Sequence, residues 1–304
     1  MSALFSLHGK LLMLMQNCFD CRLILLLCKR LGSLTTVPLK KKVTLFFWKG
    51  QSADERRDYG VAFAVRNTLL KKIEPPTGGS SRLLTMRLIT ETGPVTLVPA
   101  YAPTLAASSE SKDQFYCELD ELLNNIPKKD HIYLLGDFNT RVGSDHEAWP
   151  ECLGHHGIGK INDNGQRLLE LCSNHHLCTT SSFFPNKVHQ RASWMHPRSK
   201  HWHQLDHVIT SRSQLCTVRN TRTYHSADCN TDHSLVLSKV ILKPRPFHLS
   251  KPKSLPRINT GNTNCPQRTN SFLASLRRSI NSSSSHTTAS CCIHKMEAAQ
   301  SINI

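Results

Sequence analysis

Residues 131–143 read HIYLLGDFNTRVG, an apolar run that stops at a glycine, followed by an acid and an amide two positions apart. Ile132–Leu135 predict a short buried strand that Gly136 breaks, leaving Asp137 and Asn139 at its mouth. Side chains alternate along extended chain, so residues i and i+2 share a face. Asp and Asn both suit turns, and the pair can serve a turn alone. It can also present oxygens to a hard metal ion or a phosphate. The stretch by itself leaves both readings open.

Outward from it the chain alternates strand and helix patterns. VTLFFW (43–48) and YGVAFAVRN (59–67) are β-rich runs separated by a charged turn. RLLTMRLI (82–89) and VTLVPAYAP (95–103) predict two more strands around the turn TETGP. Residues 109–126 predict an amphipathic helix with Phe115, Leu119, Leu122, Leu123 and Ile126 as one stripe, and with Ser111 and Gln114 as a capping box. A second helix starts near Asn162–Asn164, with Leu168, Leu171 and Cys172 inward. HQLDHVITS (203–211) and HSLVLSKVIL (233–242) supply two late strands. This order marks an α/β chain rather than a helical bundle.

The ends differ from the middle. In residues 1–43 the apolar runs Leu11–Met15 and Leu23–Cys28 are both shorter than the ~20 residues of a spanning helix, and no cleavage site follows them. The expectation is a helical or loosely ordered extension without a membrane anchor. Residues 243–304 hold nine Lys/Arg against one acid and a serine run, so 244–304 reads as a basic, disordered tail. The domain boundaries are therefore 1–43, 44–243 and 244–304.

A net charge of +16 makes a polyanion the first expected partner, although an acidic membrane surface satisfies the same arithmetic. Twelve cysteines without disulfide-like spacing, in a chain this long, point to reduced thiols and an intracellular setting. Cys18 and Cys21 form a C-x-x-C with no second pair at zinc-site spacing.

Four polar clusters lie at or just past apolar runs: Tyr101 in PAYAPT, Asp137 with Asn139, Asp206 in QLDHV, and Asp232 with His233 in NTDHSLV. Each alone has a plain structural reading: a packed tyrosine, a cap, a loop pair. Together, strand-end carboxylates from separate parts of the chain can meet on one rim of a sheet, where α/β proteins place their sites. Such a rim suits phosphate-ester hydrolysis. Asp, Asn and water are ligands for a hard cation. Asp206–His233 makes a proton-sharing dyad, and Asp137 can orient or deprotonate water while Asn139 holds it. A tyrosine hydroxyl can stabilise the crowded phosphorus.

The ordered motifs PAYAPT, LLGDFNTR, SWMHPRSKHWHQLDHV and TDHSLV resemble the endonuclease/exonuclease/phosphatase superfamily. More narrowly, they are similar to the apurinic-type endonuclease domain of RTE-class non-LTR retrotransposons and to the craniofacial development protein 2 group. The resemblance spans about residues 44–243. It implies a four-layer α/β sandwich, two packed mixed sheets flanked by helices, and Mg²⁺-dependent cleavage of DNA, with Mn²⁺ as a substitute. It carries catalytic roles to Tyr101, Asp137, Asn139, Asp206 and His233, and a metal-binding role to Asp232. It implies DNA as partner, the nucleus as setting, and no membrane or obligate protein partner. Family members begin with a strand ending in Asn, then a helix, then a strand ending in a metal-binding Glu. Neither element is recognisable in residues 1–43, and Glu55 and Glu91 lie in turn text. The expectation is a domain whose first strands are missing or replaced, with activity reduced or lost. A nucleic-acid-binding remnant and a phosphatase of the same superfamily are the rival readings.

The loop SWMHPRSKHWHQ mixes cations and aromatics directly before Asp206. Trp194, Arg198, Lys200 and Trp202, with Arg141 after the GDFN turn, are the candidate nucleic-acid contacts. The other reading is a solvated loop with Trp194 in the core.

Overall fold

The computed structural model describes residues 11–17, 22–27, 39–41, 44–50, 59–76, 79–225, 232–245 and 274. The chain divides into two units, Met1–His248 and Leu249–Ile304. All but Ala274 of the second lies outside the described residues, as do the C-x-x-C cysteines, Glu55 and the expected basic tail beyond Arg245.

In chain order the strands are β1 (Leu11–Asn17), β2 (Arg22–Leu27), β3 (Leu39–Lys41), β4 (Thr44–Gly50) and β5 (Gly60–Arg66). Next come β6 (Ile73–Glu74), β7 (Met86–Thr90), β8 (Gly93–Tyr101), β9 (His131–Asp137) and β10 (Leu177–Thr179). The last are β11 (Trp194–Met195), β12 (Trp202–His203), β13 (Asp206–Ser211), β14 (Val218–Tyr224) and β15 (Leu235–Val240). The helices are α1 (Ser109–Asn125) and α2 (Asp163–Asn174).

Two mixed sheets result, with orders β14-β15-β1-β2-β5-β4-β3 and β10-β13-β9-β8-β7-β6, plus the small hairpin β11-β12. This corrects the expectation for the N-terminal segment. Its apolar runs are neither helical nor unplaced: β1 pairs parallel with β15 and antiparallel with β2, which pairs with β5. Leu and Met carry little strand signal by themselves. The open edges of β5 and β15 supply the backbone partners that select an extended conformation. The sheet places expected to be missing are thus filled.

Strand alternation sorts the core into two layers. Val95 and Leu97 of β8, Tyr133 and Leu135 of β9, and Val208 of β13 pack against Val61, Phe63, Val65, Val236 and Val240 of the other sheet. The intervening Val98, Leu134 and Ile209 turn to the opposite face, onto Phe115, Leu119 and Leu123 of α1 and Leu168, Leu169 and Cys172 of α2. Both helices thus cover one sheet. α1 and α2 are the flanking α-helices found in the described residues of the first unit.

Caps follow the backbone groups that need partners. Ser108, not Ser111, caps α1, accepting a bond from the Ser111 N–H at 3.3 Å. Asn162 caps α2, accepting from the Gly165 N–H at 2.8 Å.

At the end of the six-stranded sheet, Arg87 grips Asp130 with two bonds of 2.6 and 2.9 Å, and Thr96 adds a third at 2.9 Å. The Asp130 side chain is fully buried. Burial pushes its carboxyl up, but the bonds from Arg87 and Thr96 outweigh that and hold it below its ordinary value. A depressed carboxylate stabilises the fold above the unfolded carboxyl range, and this stability drains away as pH falls through the folded value. Asp130→Ala leaves Arg87 with its bond to Glu74 at 3.1 Å but takes the acceptor from the buried Thr96 hydroxyl, and is expected to cost about 1–3 kcal/mol. Thermal melts from pH 7 to pH 3 check this: the wild type loses stability at the acid end, and Asp130→Asn loses less.

Candidate active site

Parity along the strands builds the site. Tyr101 closes β8 with the same facing as Val95 and Leu97, and it belongs to the core between the sheets. Asp137 has the parity of Tyr133 and Leu135, and Asp206 that of Val208. Register then aligns them. Tyr101 lies opposite Asp137 in the parallel pair β8–β9, and Asp137 opposite Asp206 in the antiparallel pair β9–β13. Three consecutive strands therefore end in a row of Tyr, Asp and Asp on the rim between the two sheets.

The fourth member comes from the other sheet. His233 precedes β15, and its Nδ1–H donates to Asp206 Oδ2 at 2.9 Å. Its Nε2 stands 3.9 Å from Asp137 Oδ2. Burial disfavours charge on this imidazole, but Asp206, Asp137 and Asp232 together raise its pKa to about 9. His233 is therefore an imidazolium near neutral pH.

Asp137 does two jobs. Its Oδ1 accepts the Asn139 N–H at 2.9 Å, closing a side-chain turn, while Oδ2 faces His233. The turn and ligand readings of this stretch are thus compatible. Two sequence expectations change here. β9 does not break at Gly136 but runs through it to Asp137, because a bare Cα lets β8 approach. Asn139 does not share Asp137's face by strand alternation, since its φ of 48° places it in the left-handed region beyond the strand. Its Nδ2–H donates to the Ala102 carbonyl at 2.9 Å, tying the loops after β8 and β9 together.

Several supports were not legible in the sequence. The buried Ser193 hydroxyl accepts the backbone N–H groups of Leu205 and Asp206, each at 3.2 Å, and so sets the start of β13. Asn164 is fully buried, with Nδ2 donating to the Asn139 carbonyl at 3.1 Å. Its place in the first turn of α2 was the only signal available. Arg82 donates to the Tyr101 carbonyl at 3.0 Å and lies 3.5 Å over the Tyr59 ring, which stacks on Tyr101. Burial, with Asp137 next, raises the Tyr101 phenol well above its ordinary value, so it remains a hydroxyl donor. His207, also fully buried, has its pKa lowered to about 4 by burial and is neutral.

One atom bears on metal binding. Asp206 Oδ1 is buried without a hydrogen-bond partner among the described residues. A carboxylate oxygen in that state is costly unless a cation or donor completes it. Ligand atoms of Asp137, Asp206 and His233 lie within 4.8 Å of one another. The donor set fits a hard divalent cation on its carboxylate side. Asp232 stands apart from that group: it is exposed, and its Oδ2 accepts the Trp194 indole N–H at 3.1 Å. Glu91 is exposed and pairs with Lys243, away from the site.

Of the candidate contact residues, Trp194 adjoins the site. β11 and β12 pair Trp194 with His203 and Met195 with Trp202, and Trp194 also bridges to His233. Trp194 is half-buried at the site's edge rather than in the core, stacked on His203. Arg198 and Lys200 are exposed on the hairpin loop, Trp202 is exposed, and Arg141 is half-buried.

The family profile described as Endonuclease/Exonuclease/phosphatase family matches residues 20–228, starting before β2 and ending just short of Asp232 and His233. Craniofacial development protein 2 from Bos taurus is 29% identical over 211 residues, covering 67% of this chain and 35% of that protein. Its counterpart from Tragulus javanicus is 28% identical over 197 residues, covering 65% and 34%. The chain thus spans about a third of the length of the curated relatives it matches. Among solved structures, the catalytic domain of Xenopus laevis APE2 is similar with a TM-score of 0.49, at 16% identity, over 70% of this chain and 80% of that one. No helix among the described residues is long and apolar enough to cross a membrane. A profile match over more than two thirds of the chain, holding the Tyr101, Asp137 and Asp206 strand ends within it, makes this protein a member of the endonuclease/exonuclease/phosphatase family.

Proposed function

We propose that the chain is a divalent-metal-assisted phosphodiester hydrolase that acts on DNA, derived from a retrotransposon endonuclease, with activity kept low by a sparse set of metal-binding oxygens. The carrying observation is the in-register row Tyr101–Asp137–Asp206, completed from the other sheet by His233 on Asp206. The spaced motifs that resemble the RTE-class endonuclease domain support the origin. A DNA substrate makes the nucleus the working compartment.

Asp137 accepts the proton of a water whose oxygen bonds to phosphorus as a bridging P–O bond breaks. The leaving oxygen takes its proton from solvent. The His233 Nε2–H faces Asp137 and holds the water or a phosphoryl oxygen, while Asp206 fixes the ring. The Tyr101 hydroxyl donates to a phosphoryl oxygen. Asn139, anchored on Ala102, holds the turn and contacts the water or phosphate. The unpartnered side of Asp206, with Asp137 beside it, would hold Mg²⁺ or Mn²⁺, and the ligand role that the resemblance carries to Asp232 would need its carboxylate to leave the Trp194 indole. Such a cation neutralises phosphate charge and eases departure of the leaving oxygen.

The test is supercoiled plasmid, an inositol lipid and a nucleotide assayed side by side across Mg²⁺ and Mn²⁺ concentrations. Plasmid nicking is expected to be weak in Mg²⁺, stronger at raised Mg²⁺ or in Mn²⁺, and absent in EDTA. Phosphate release from lipid or nucleotide without nicking overturns the substrate class, and robust nicking at low Mg²⁺ overturns the sparse-ligand account. One observation favours a second reading, a nucleic-acid-binding remnant: the metal-competent group among the described residues holds only two carboxylates and a histidine that carries charge. Binding without cleavage in any metal selects it.

Under both readings duplex affinity falls steeply with salt, because each neutralised phosphate releases counterions. Arg198→Ala and Lys200→Ala are each expected to weaken binding and to lower the slope of log affinity against log salt by about 1. Titration by fluorescence anisotropy at four salt concentrations measures it.

A further inference from the structure

Beside the rim lies a face that the hydrolytic mechanism does not use. Trp202 is 44% exposed and Val188 69% exposed, two of the four large hydrophobic side chains left open among the described residues. The Trp202 ring meets His225 edge-on at 4.5 Å between centroids. The His225 Nε2–H donates to the His189 carbonyl, and its Nδ1 pairs with the Ser234 hydroxyl at 2.8 Å. The Ser234 N–H in turn donates to the Ser193 carbonyl at 2.6 Å, and Ser193 is the residue that seats Asp206. The indole is therefore held in a fixed relation to His233 and Asp206 while the residue stays 44% exposed.

The surroundings select the occupant. Between Lys187 and His225 the only acid is Asp206, which is buried, against seven lysines and arginines. Lys187, Arg198 and Lys200 are exposed around the indole's own hairpin. An exposed aromatic ring among these cations, with Asp232 on the Trp194 indole as the exposed acid of the hairpin, matches a strand whose bases can stack and whose phosphates need neutralising. Paired duplex keeps its base faces inside the stack, so it can use the cations but not the indole.

We propose that Trp202, backed by His225, is a stacking site for an unpaired nucleobase, so that the DNA this site takes carries unpaired nucleotides beside the phosphate to be cut. This rests on the reading of the rim as a DNA site, but not on that site being active.

The experiment measures binding of the full chain in EDTA, where nothing is cleaved, to three labelled probes of one sequence: a paired duplex, the same duplex with a three-nucleotide bubble, and the single strand. The bubble is expected to bind roughly 5- to 150-fold tighter than the duplex, the range for one stacked base. Trp202→Ala removes that preference, and Trp202→Phe restores most of it. Lys200→Ala lowers affinity for all probes alike. Equal affinity of the wild type for bubble and duplex, or a preference that survives Trp202→Ala, overturns the stacking site while the hydrolase reading stands. Failure to bind any of the three probes overturns both. A preference lost in Trp202→Ala, in a chain that nicks nothing, supports the stacking site and overturns only the hydrolase.

Discussion

Asp137→Asn leaves plasmid nicking reduced on the order of 10²- to 10⁴-fold, the share of rate a positioned general base supplies. This substitution is the informative one because Asp137 has two roles. An amide oxygen still accepts the Asn139 N–H, so the turn survives, but it cannot take a proton from water. Asp137→Ala also frees the turn and is expected to abolish what remains. His233→Ala has an effect at least as large, since it removes the cation near Asp137 and leaves both oxygens of Asp206 buried without partners. That second consequence costs stability on the order of 3 kcal/mol, so thermal melts accompany the nicking assay. His233→Asn separates the two effects if it restores the melting temperature and not the activity. Nicking by Asp137→Asn at the wild-type rate would sink the assigned role. Nicking that is indifferent to Asp137→Ala as well identifies a contaminating nuclease.

Gly136→Ala is expected to be the most damaging single-carbon change in the described residues of the rim. A Cβ there would stand 1.9 Å from the Ala100 carbonyl oxygen and 2.9 Å from its carbon, both backbone atoms of the neighbouring strand. No rotamer relieves such a clash, so β9 must shift away from β8, carrying Asp137 out of line with Tyr101. The expected cost is about 3 kcal/mol or more, which for a domain of this size lowers the melting temperature by roughly 6–12 °C. Gly159→Ala is the control. Its added carbon meets nothing within 4 Å, so the cost is only the backbone strain of a φ of +72°, about 1–2 kcal/mol. Melting curves of the two variants compare a steric clash with torsional strain. Equal losses would show that β9 tolerates displacement and that the strand alignment is softer than the register implies.

The candidate residues of the rim stood out in the sequence because they sit at or beside the ends of apolar runs, but the one facing read from period-two alternation, that Asp137 and Asn139 share a side, did not hold. The existence of β8, β9 and β13 and both helix stripes follow from local pattern, which depends only on neighbours in the chain, whereas their ends at Tyr101 and Asp137 and the start at Asp206 were set by the neighbouring strands. The N-terminal strands did not follow from it. Leu11–Asn17 and Arg22–Leu27 are extended because β15 and β5 offer them hydrogen bonds, and those partners lie up to some two hundred residues away in sequence. β14 was missed for a related reason: VRNTRTY buries only Val218, Thr221 and Thr223, too sparse an apolar pattern to read as a strand without the sheet beside it. The left-handed turn at Asn139, the burial of Asn164 and the seat that Ser193 makes for Asp206 likewise depend on what packs against them. The sequence alone thus determined which residues were candidates for chemistry and which segments were strands and helices in the middle of the chain. Only the tertiary structure decided that they meet, because a strand's facing is a property of its own backbone, whereas its neighbour and register are set by hydrogen bonds and packing between segments far apart in the chain.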